Sequence, residues 1–187
     1  QWPEAYQVDT MDLQEETWQQ TSFSGYDSIL HVAGLAHTRE NKHNKESFYR
    51  INRDLTLEVA RKAKADGVRQ FVFLSSMSVY GINRGPVNPK AEPKPVSYYG
   101  ESKLQAEMGL LQLRDDNFSV VILRPPIIYG YGCHGNFRHM IRLAKIVPFF
   151  AAYENKRSML SIENLTALVK DLMDTGADGI FCPQDPE

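Results

Sequence analysis

Ser75-Ser76-Met77-Ser78-Val79-Tyr80-Gly81, followed after a proline-rich loop by Tyr99-Gly100-Glu101-Ser102-Lys103, decides how the chain is read. The run Gln70-Phe71-Val72-Phe73-Leu74 ahead of the serines has the composition of a buried strand. Beyond Tyr98, apolar Leu104, Met108 and Leu111 recur at helical spacing and predict a helix over 98–114. A hydroxyl is therefore expected at the end of a strand, with a tyrosine and a lysine one turn apart on a helix. Residues at i and i+4 share a helix face, so Lys103 can lie beside the phenol of Tyr99. Tyr98 is five residues from Lys103, so the spacing selects Tyr99.

A free phenol titrates near ~10, too high for a base at neutral pH. A neighbouring ammonium and the positive end of a helix both favour the phenolate. Tyr99 is expected to receive both, so its pKa is predicted to fall. A serine hydroxyl from the strand end could bond the same substrate oxygen. Such a trio suits moving a proton to or from a hydroxyl or carbonyl while hydride is exchanged with a nicotinamide ring. A lone Tyr-x-x-x-Lys is common on helix surfaces; the serines on a preceding strand give this one its weight.

The rest of the composition narrows the class. The 187 residues suit one domain or a little more, and 42% hydrophobic content can support a core. A net charge of -2 gives no electrostatic case for nucleic acid or an anionic membrane surface. No apolar run approaches the ~20 residues of a membrane span. Cys133 and Cys182 are far apart, and His31, His37, His43, His134 and His139 show no ligand spacing. The expectation is a reduced, cytoplasmic protein with no metal site.

Outward from the central stretch, strands are expected at 5–8, 28–34, 119–123 and 179–182. Helices are expected at 13–20, from Ser47 with Phe48, Ile51, Leu55, Val59 and Ala63 on one face, at 135–146 and at 162–174. Strands alternating with helices imply an α/β fold built on parallel βαβ units with helices on both faces. Ligands then bind beyond the carboxyl ends of the strands. Asp9, Ala33-Gly34, Ser75-Ser76 and Pro125-Pro126 all fall at such ends.

In combination these motifs resemble the extended short-chain dehydrogenase/reductase family of nucleotide-sugar epimerases and dehydratases, from about Val8 to the end of the chain. The resemblance implies a Rossmann-like parallel sheet with flanking helices and an NAD-dependent enzyme, with NADP as the alternative cofactor. It casts Ser76, Tyr99 and Lys103 as catalytic, with Lys103 also reaching the nicotinamide ribose. Asp9 and Thr10 would hold adenine, and Val32, Ala33, Gly34 and Ala36 would pass the cofactor's pyrophosphate and ribose. Asn52 would brace the loop beside it. Leu74, Ser75, Pro125 and Ile128 would line the cofactor, the last two in the segment Arg124-Pro125-Pro126-Ile127-Ile128-Tyr129-Gly130. Ser76, Asn136, Phe137 and Arg157 would contact substrate, Arg157 by gripping a diphosphate. Each has a plainer reading: a strand-end glycine or serine, a solvated acid, an exposed asparagine, a surface arginine.

The sequence contains no G-x-x-G-x-x-G, and no G-x-G-x-x-G before Gly130. The sheet is accordingly expected to be incomplete, lacking the family's first two strands and most of its substrate domain. Residues 1–133 would form a partial dinucleotide-binding domain, and 134–187 the start of a substrate-binding region plus the last strand. Strand 5–8 would have no usual partner. The expected reaction is C4 epimerisation of a UDP-hexose or UDP-N-acetylhexosamine. Many 4-epimerases carry Asn where Ile127 stands, which keeps reduction of a nucleotide-linked 4-keto sugar open. A non-catalytic, nucleotide-sensing or partner-binding relative would be expected to lose the Tyr–Lys pair. The resemblance also implies a homodimer formed through the helices that follow Asn44 and Ser97.

Overall fold

The computed structural model describes residues 6–36, 38–82, 87–88, 90–133, 142, 146–147 and 157–186. Four short strands, β1 (Ser28–His31), β2 (Gln70–Leu74), β3 (Ser119–Leu123) and β6 (Gly179–Phe181), form one parallel sheet in the order β1-β2-β3-β6. The register aligns Leu30 with Val72, Val72 with Val121, and Val121 with Gly179. The carboxyl ends of the strands therefore finish along one edge of the sheet.

Side chains alternate across the pleat, and each set meets its own helices. Phe71, Phe73, Val120 and Ile122 pack with Val59, Ala60 and Ala63 of α2 (Leu55–Ala65) and with Ala106 and Leu110 of α3 (Tyr98–Leu113). Val72, Val121 and Leu123 face the other way, against Leu165, Val169 and Leu172 of α4 (Ile162–Asp174). The α/β expectation holds, with helices on both faces. Residues beyond 134 return to the sheet as α4 and β6.

Some local expectations do not hold. Residues 6–8 are coil, so no strand forms there, and Ala5 lies outside the described residues. The polar segment 13–20 yields only a 3-10 turn, Glu16–Gln19. The run 28–34 stops pairing at His31, and Val32 is 62% exposed. The expected helix at 135–146 lies largely outside the described residues. A small parallel pair, β4 (Ile127–Tyr129) with β5 (Met159–Ser161), was not expected.

The helix after Asn44 also differs. It begins as α1 (Lys45–Tyr49), passes through a π turn at Arg50–Asp54, and continues as α2. The extra residue in that turn rotates the inward stripe. Phe48, Asn52, Thr56, Val59, Ala60 and Ala63 are buried, while Ile51 and Leu55 are only half-buried. Two polar side chains thus occupy the inner face just where the helix passes the end of β1.

Candidate active site

α3 starts at this edge, and its first turn is capped by side chains. Ser97 Oγ accepts from Gly100 N at 3.0 Å, and its carbonyl accepts from Glu101 N. The Glu40 carboxylate, from the loop after β1, accepts from Tyr98 N and Tyr99 N at 2.9 Å each. Three of the N–H groups that a helix start leaves orphaned, those of Tyr98, Tyr99 and Gly100, are thereby satisfied. Gly100 is required here because a Cβ would stand 2.6 Å from the Ser78 carbonyl oxygen. Its absence lets the 3-10 turn Met77–Tyr80 press against α3.

Ser76 caps that turn: its Oγ accepts from Ser78 N at 3.1 Å. The Tyr99 phenol lies near enough to the same hydroxyl for Ser76 to pull its pKa down. Lys103, one turn along α3, is 3% exposed, and its Nζ donates to the Leu74 carbonyl at 2.9 Å and sits 4.6 Å from the Phe73 ring centre. The structure thus brings Ser76, Tyr99 and Lys103 together at the end of β2.

The electrostatics differ from the sequence-based expectation. Burial raises the Tyr99 pKa above its ordinary value, with Ser76 acting in the opposite direction. Lys103 does not hold the phenol down. Its own pKa is lowered to about 8 by burial, against an opposing pull from Glu107. Removing both groups from water disfavours the charged form of each.

Gly34 lies beside this pair. A Cβ there would come within 3.1 Å of both Lys103 Nζ and Asn52 Oδ1. Asn52 is fully buried and braces the loop as expected: its Oδ1 accepts from Leu35 N at 2.7 Å, and its Nδ2 donates to Leu35 O and to Ser102 Oγ. Val32 and Gly34 are exposed, and Ala33 and Ala36 half-buried, along the same edge.

Other expected residues are placed apart or turned inward. Ser75 is buried and donates to Glu107 Oε1. Pro125 is buried, and its carbonyl accepts from Met77 N at 3.1 Å. Ile128 is half-buried against the α4 side of the sheet. Asp9 and Thr10 are exposed in coil, where Asp9 accepts from Tyr26 OH at 2.6 Å. Arg157 is exposed ahead of β5. Asn136 and Phe137 lie outside the described residues. Of the histidines, His31 is buried and His43 exposed; among the described residues no cluster could hold a metal ion.

The largest feature the sequence reading missed lies beneath the trio. Glu107 and Arg124 form a buried ion pair at 2.5 Å, and Arg124 Nη1 donates to Tyr80 OH at 2.8 Å. The Tyr80 hydroxyl is in turn 3.5 Å from Cys182 Sγ. One more step of four along α3 from Lys103 would have reached Glu107. Glu40 carried no such signal, since it stands in a charged loop 58 residues before Tyr98.

Comparison with known proteins gives this geometry a setting. The model of the NAD dependent epimerase/dehydratase family matches residues 2–170. A UDP-glucose 4-epimerase of Vibrio cholerae is 34% identical over 168 residues, covering 84% of this chain and 51% of that protein. N-acetyl-alpha-D-glucosaminyl-diphospho-ditrans,octacis-undecaprenol 4-epimerase of Escherichia coli O157:H7 is 26% identical over 174 residues, with 90% and 51% covered. The chain spans about half the length of these curated relatives. Among solved structures, MoeE5 in complex with UDP-glucose and NAD superposes with a TM-score of 0.71 at 25% identity, over 88% of this chain and 58% of its own.

Proposed function

The chain belongs to the NAD dependent epimerase/dehydratase family, and on that premise we propose that the protein epimerises a nucleotide-linked sugar at C4, a UDP-hexose or UDP-N-acetylhexosamine, with NAD as cofactor. One observation carries the reading: Ser76 and Tyr99 side by side, with buried Lys103 one turn behind and bonded to the Leu74 carbonyl, at the strand ends. The V. cholerae relative supports the reaction class.

In this reading Tyr99, acting as its phenolate, takes the proton of the sugar's C4 hydroxyl on Oη and later returns it. Ser76 Oγ donates to the same oxygen and fixes its distance from the phenol. NAD, when bound, would supply the centre that takes hydride from C4 and gives it back to the other face. The residues present suit it. Gly34 leaves open the space a Cβ would fill, and Lys103 has three N–H donors of which Leu74 takes one. Val32, Ala33 and Ala36 would follow the cofactor along this edge, Leu74 and Pro125 would flank it, and Asp9 and Thr10 would serve its adenine. Arg157, with Asn136 and Phe137, would receive the substrate diphosphate, for which a guanidinium fork is suited. Met108, 58% exposed on α3, would face a second copy of the chain in a homodimer.

Ile127 at the head of β4 favours a second reading, reduction of a nucleotide-linked 4-keto sugar with the same trio. The test is to incubate the protein with NAD and UDP-glucose or UDP-N-acetylglucosamine and follow the sugar protons by NMR. The 4-epimer should accumulate without net loss of NAD, and Tyr99→Phe should slow it by roughly 100-fold or more. Net consumption of NADPH with a 4-keto sugar selects the reductase. Turnover indifferent to Tyr99→Phe overturns both.

A further inference from the structure

Glu107 is 1% exposed, and it is the meeting point of the groups that shape the site. It stands two turns after Tyr99 and one after Lys103 on the inward side of α3. Its carboxylate accepts from Ser75 Oγ, from Arg124 Nε at 3.1 Å and 3.2 Å, and from Arg124 Nη2 at 2.5 Å. Three successive residues at the end of β2 thus meet three successive turns of the helix. Leu74 O accepts from Lys103, Ser75 Oγ is fixed by Glu107, and Ser76 Oγ meets Tyr99.

We propose that Glu107 is the positioning residue of this site: it locks the Leu74–Ser76 segment against α3 and stands as the buried countercharge one turn from Lys103. The role rests on the reading of the Tyr99–Lys103 pair given above. Glu107 need not touch substrate or cofactor; it acts through Ser75 and Lys103.

A lysine buried this deeply loses its proton easily unless a negative charge stands near. The groups facing Lys103 are few. From β1 comes His31, held neutral, with a pKa lowered to about 3 by burial and by Lys103 itself. From β2 come the Phe73 ring and the Leu74 carbonyl, and from the π turn Asn52, none of which titrates. Tyr99 and Glu107 lie on α3 itself, and Arg124 reaches in from β3 behind Glu107. Glu107 is therefore the anion of the set. It raises the pKa of Lys103, while burial lowers it. Arg124 matches the Glu107 charge in a buried ion pair.

The test is to follow the titration of Lys103 by the NMR signal of its labelled Cε in the wild type, Glu107→Gln and Glu107→Gln/Arg124→Met. The single variant leaves a buried guanidinium unpaired, so its midpoint should be lowest, at least one pH unit below wild type. The double variant removes both charges and should fall between the two. If Glu107→Gln does not fold, a double-variant midpoint below wild type still supports the role. Equal midpoints in wild type and double variant overturn it and reduce Glu107 to a structural ion pair. The titration needs no turnover, so it fails or succeeds apart from the epimerase reading. Where turnover is measurable, the alkaline limb of kcat/KM should move in the same order.

Discussion

Replacing Lys103 with methionine should abolish turnover and stabilise the fold. The folded chain releases the Lys103 proton at about 8, whereas an unburied lysine releases it at 10.5. At about 1.4 kcal/mol per tenfold change, the buried ammonium is about 3 kcal/mol less favourable than the same group in the unfolded chain. Between pH 8 and 10.5 the unfolded chain binds more protons than the folded one, so stability climbs with pH across that window. Below pH 8 both states carry the charge, and the whole penalty is present.

Methionine has a similar reach and no charge. The substitution removes the penalty but also the hydrogen bond to Leu74 O, worth about 1 kcal/mol. The net gain at pH 7 should be about 2 kcal/mol. For a chain of this length that is a rise in Tm of about 4–8 °C. Thermal unfolding followed by circular dichroism at pH 7 measures it. A companion series from pH 8 to 10.5 should show wild-type stability rising towards that of Lys103→Met. A variant that melts at or below the wild-type temperature at pH 7 would falsify the claim that the ammonium is a net burden on the fold.

Three further outcomes are expected. His31 titrates at about 3 in the fold against 6.5 when unburied, so stability should fall as pH drops from 6.5 towards 3; His31→Gln should remove about one proton from that dependence in urea melts. Glu40→Ala removes the acceptor of two N–H groups at the head of α3 and should cost about 1–2 kcal/mol, read as roughly tenfold or greater faster hydrogen exchange at the Tyr98 and Tyr99 amides. Gly34→Ala brings a Cβ to 3.1 Å from Asn52 Oδ1 and Lys103 Nζ, both buried and hydrogen-bonded, so it should cost about 1–3 kcal/mol of stability and lower NAD affinity in calorimetric titration.

The parallel sheet was legible because its central strands are continuous apolar runs bounded by polar or proline residues. The Ser76–Tyr99–Lys103 trio was legible because spacing alone puts two of its members on one helix face. What escaped the pattern is polar and inward. Leu104, Met108 and Leu111 announce α3, yet its buried side is Ser102, Lys103, Ala106, Glu107 and Leu110. Thr56 is hidden for the same reason, and Asn52 was reached only through the family resemblance: hydropathy assigns both to water, whereas partners from other parts of the chain make their burial affordable. The π turn has no compositional sign, and β4 with β5 pairs three-residue segments too short for periodicity to register. The 5–8 run has strand composition, but composition supplies no neighbour to pair with.

The inward polar groups follow from where α3 is placed. A helix that must bring a phenol and an ammonium to the end of a strand carries them on its core side, where apolar residues would otherwise lie. Burial then works against the charge of Lys103 and would empty the site of it at moderately alkaline pH. Placing Glu107 one turn further along counters this, and Arg124 pairs with that carboxylate. The same one-turn spacing aligns Tyr99, Lys103 and Glu107 with Ser76, Leu74 and Ser75. The polar stripe of α3 is thus continuous because its far end supports the protonation state on which its near end depends.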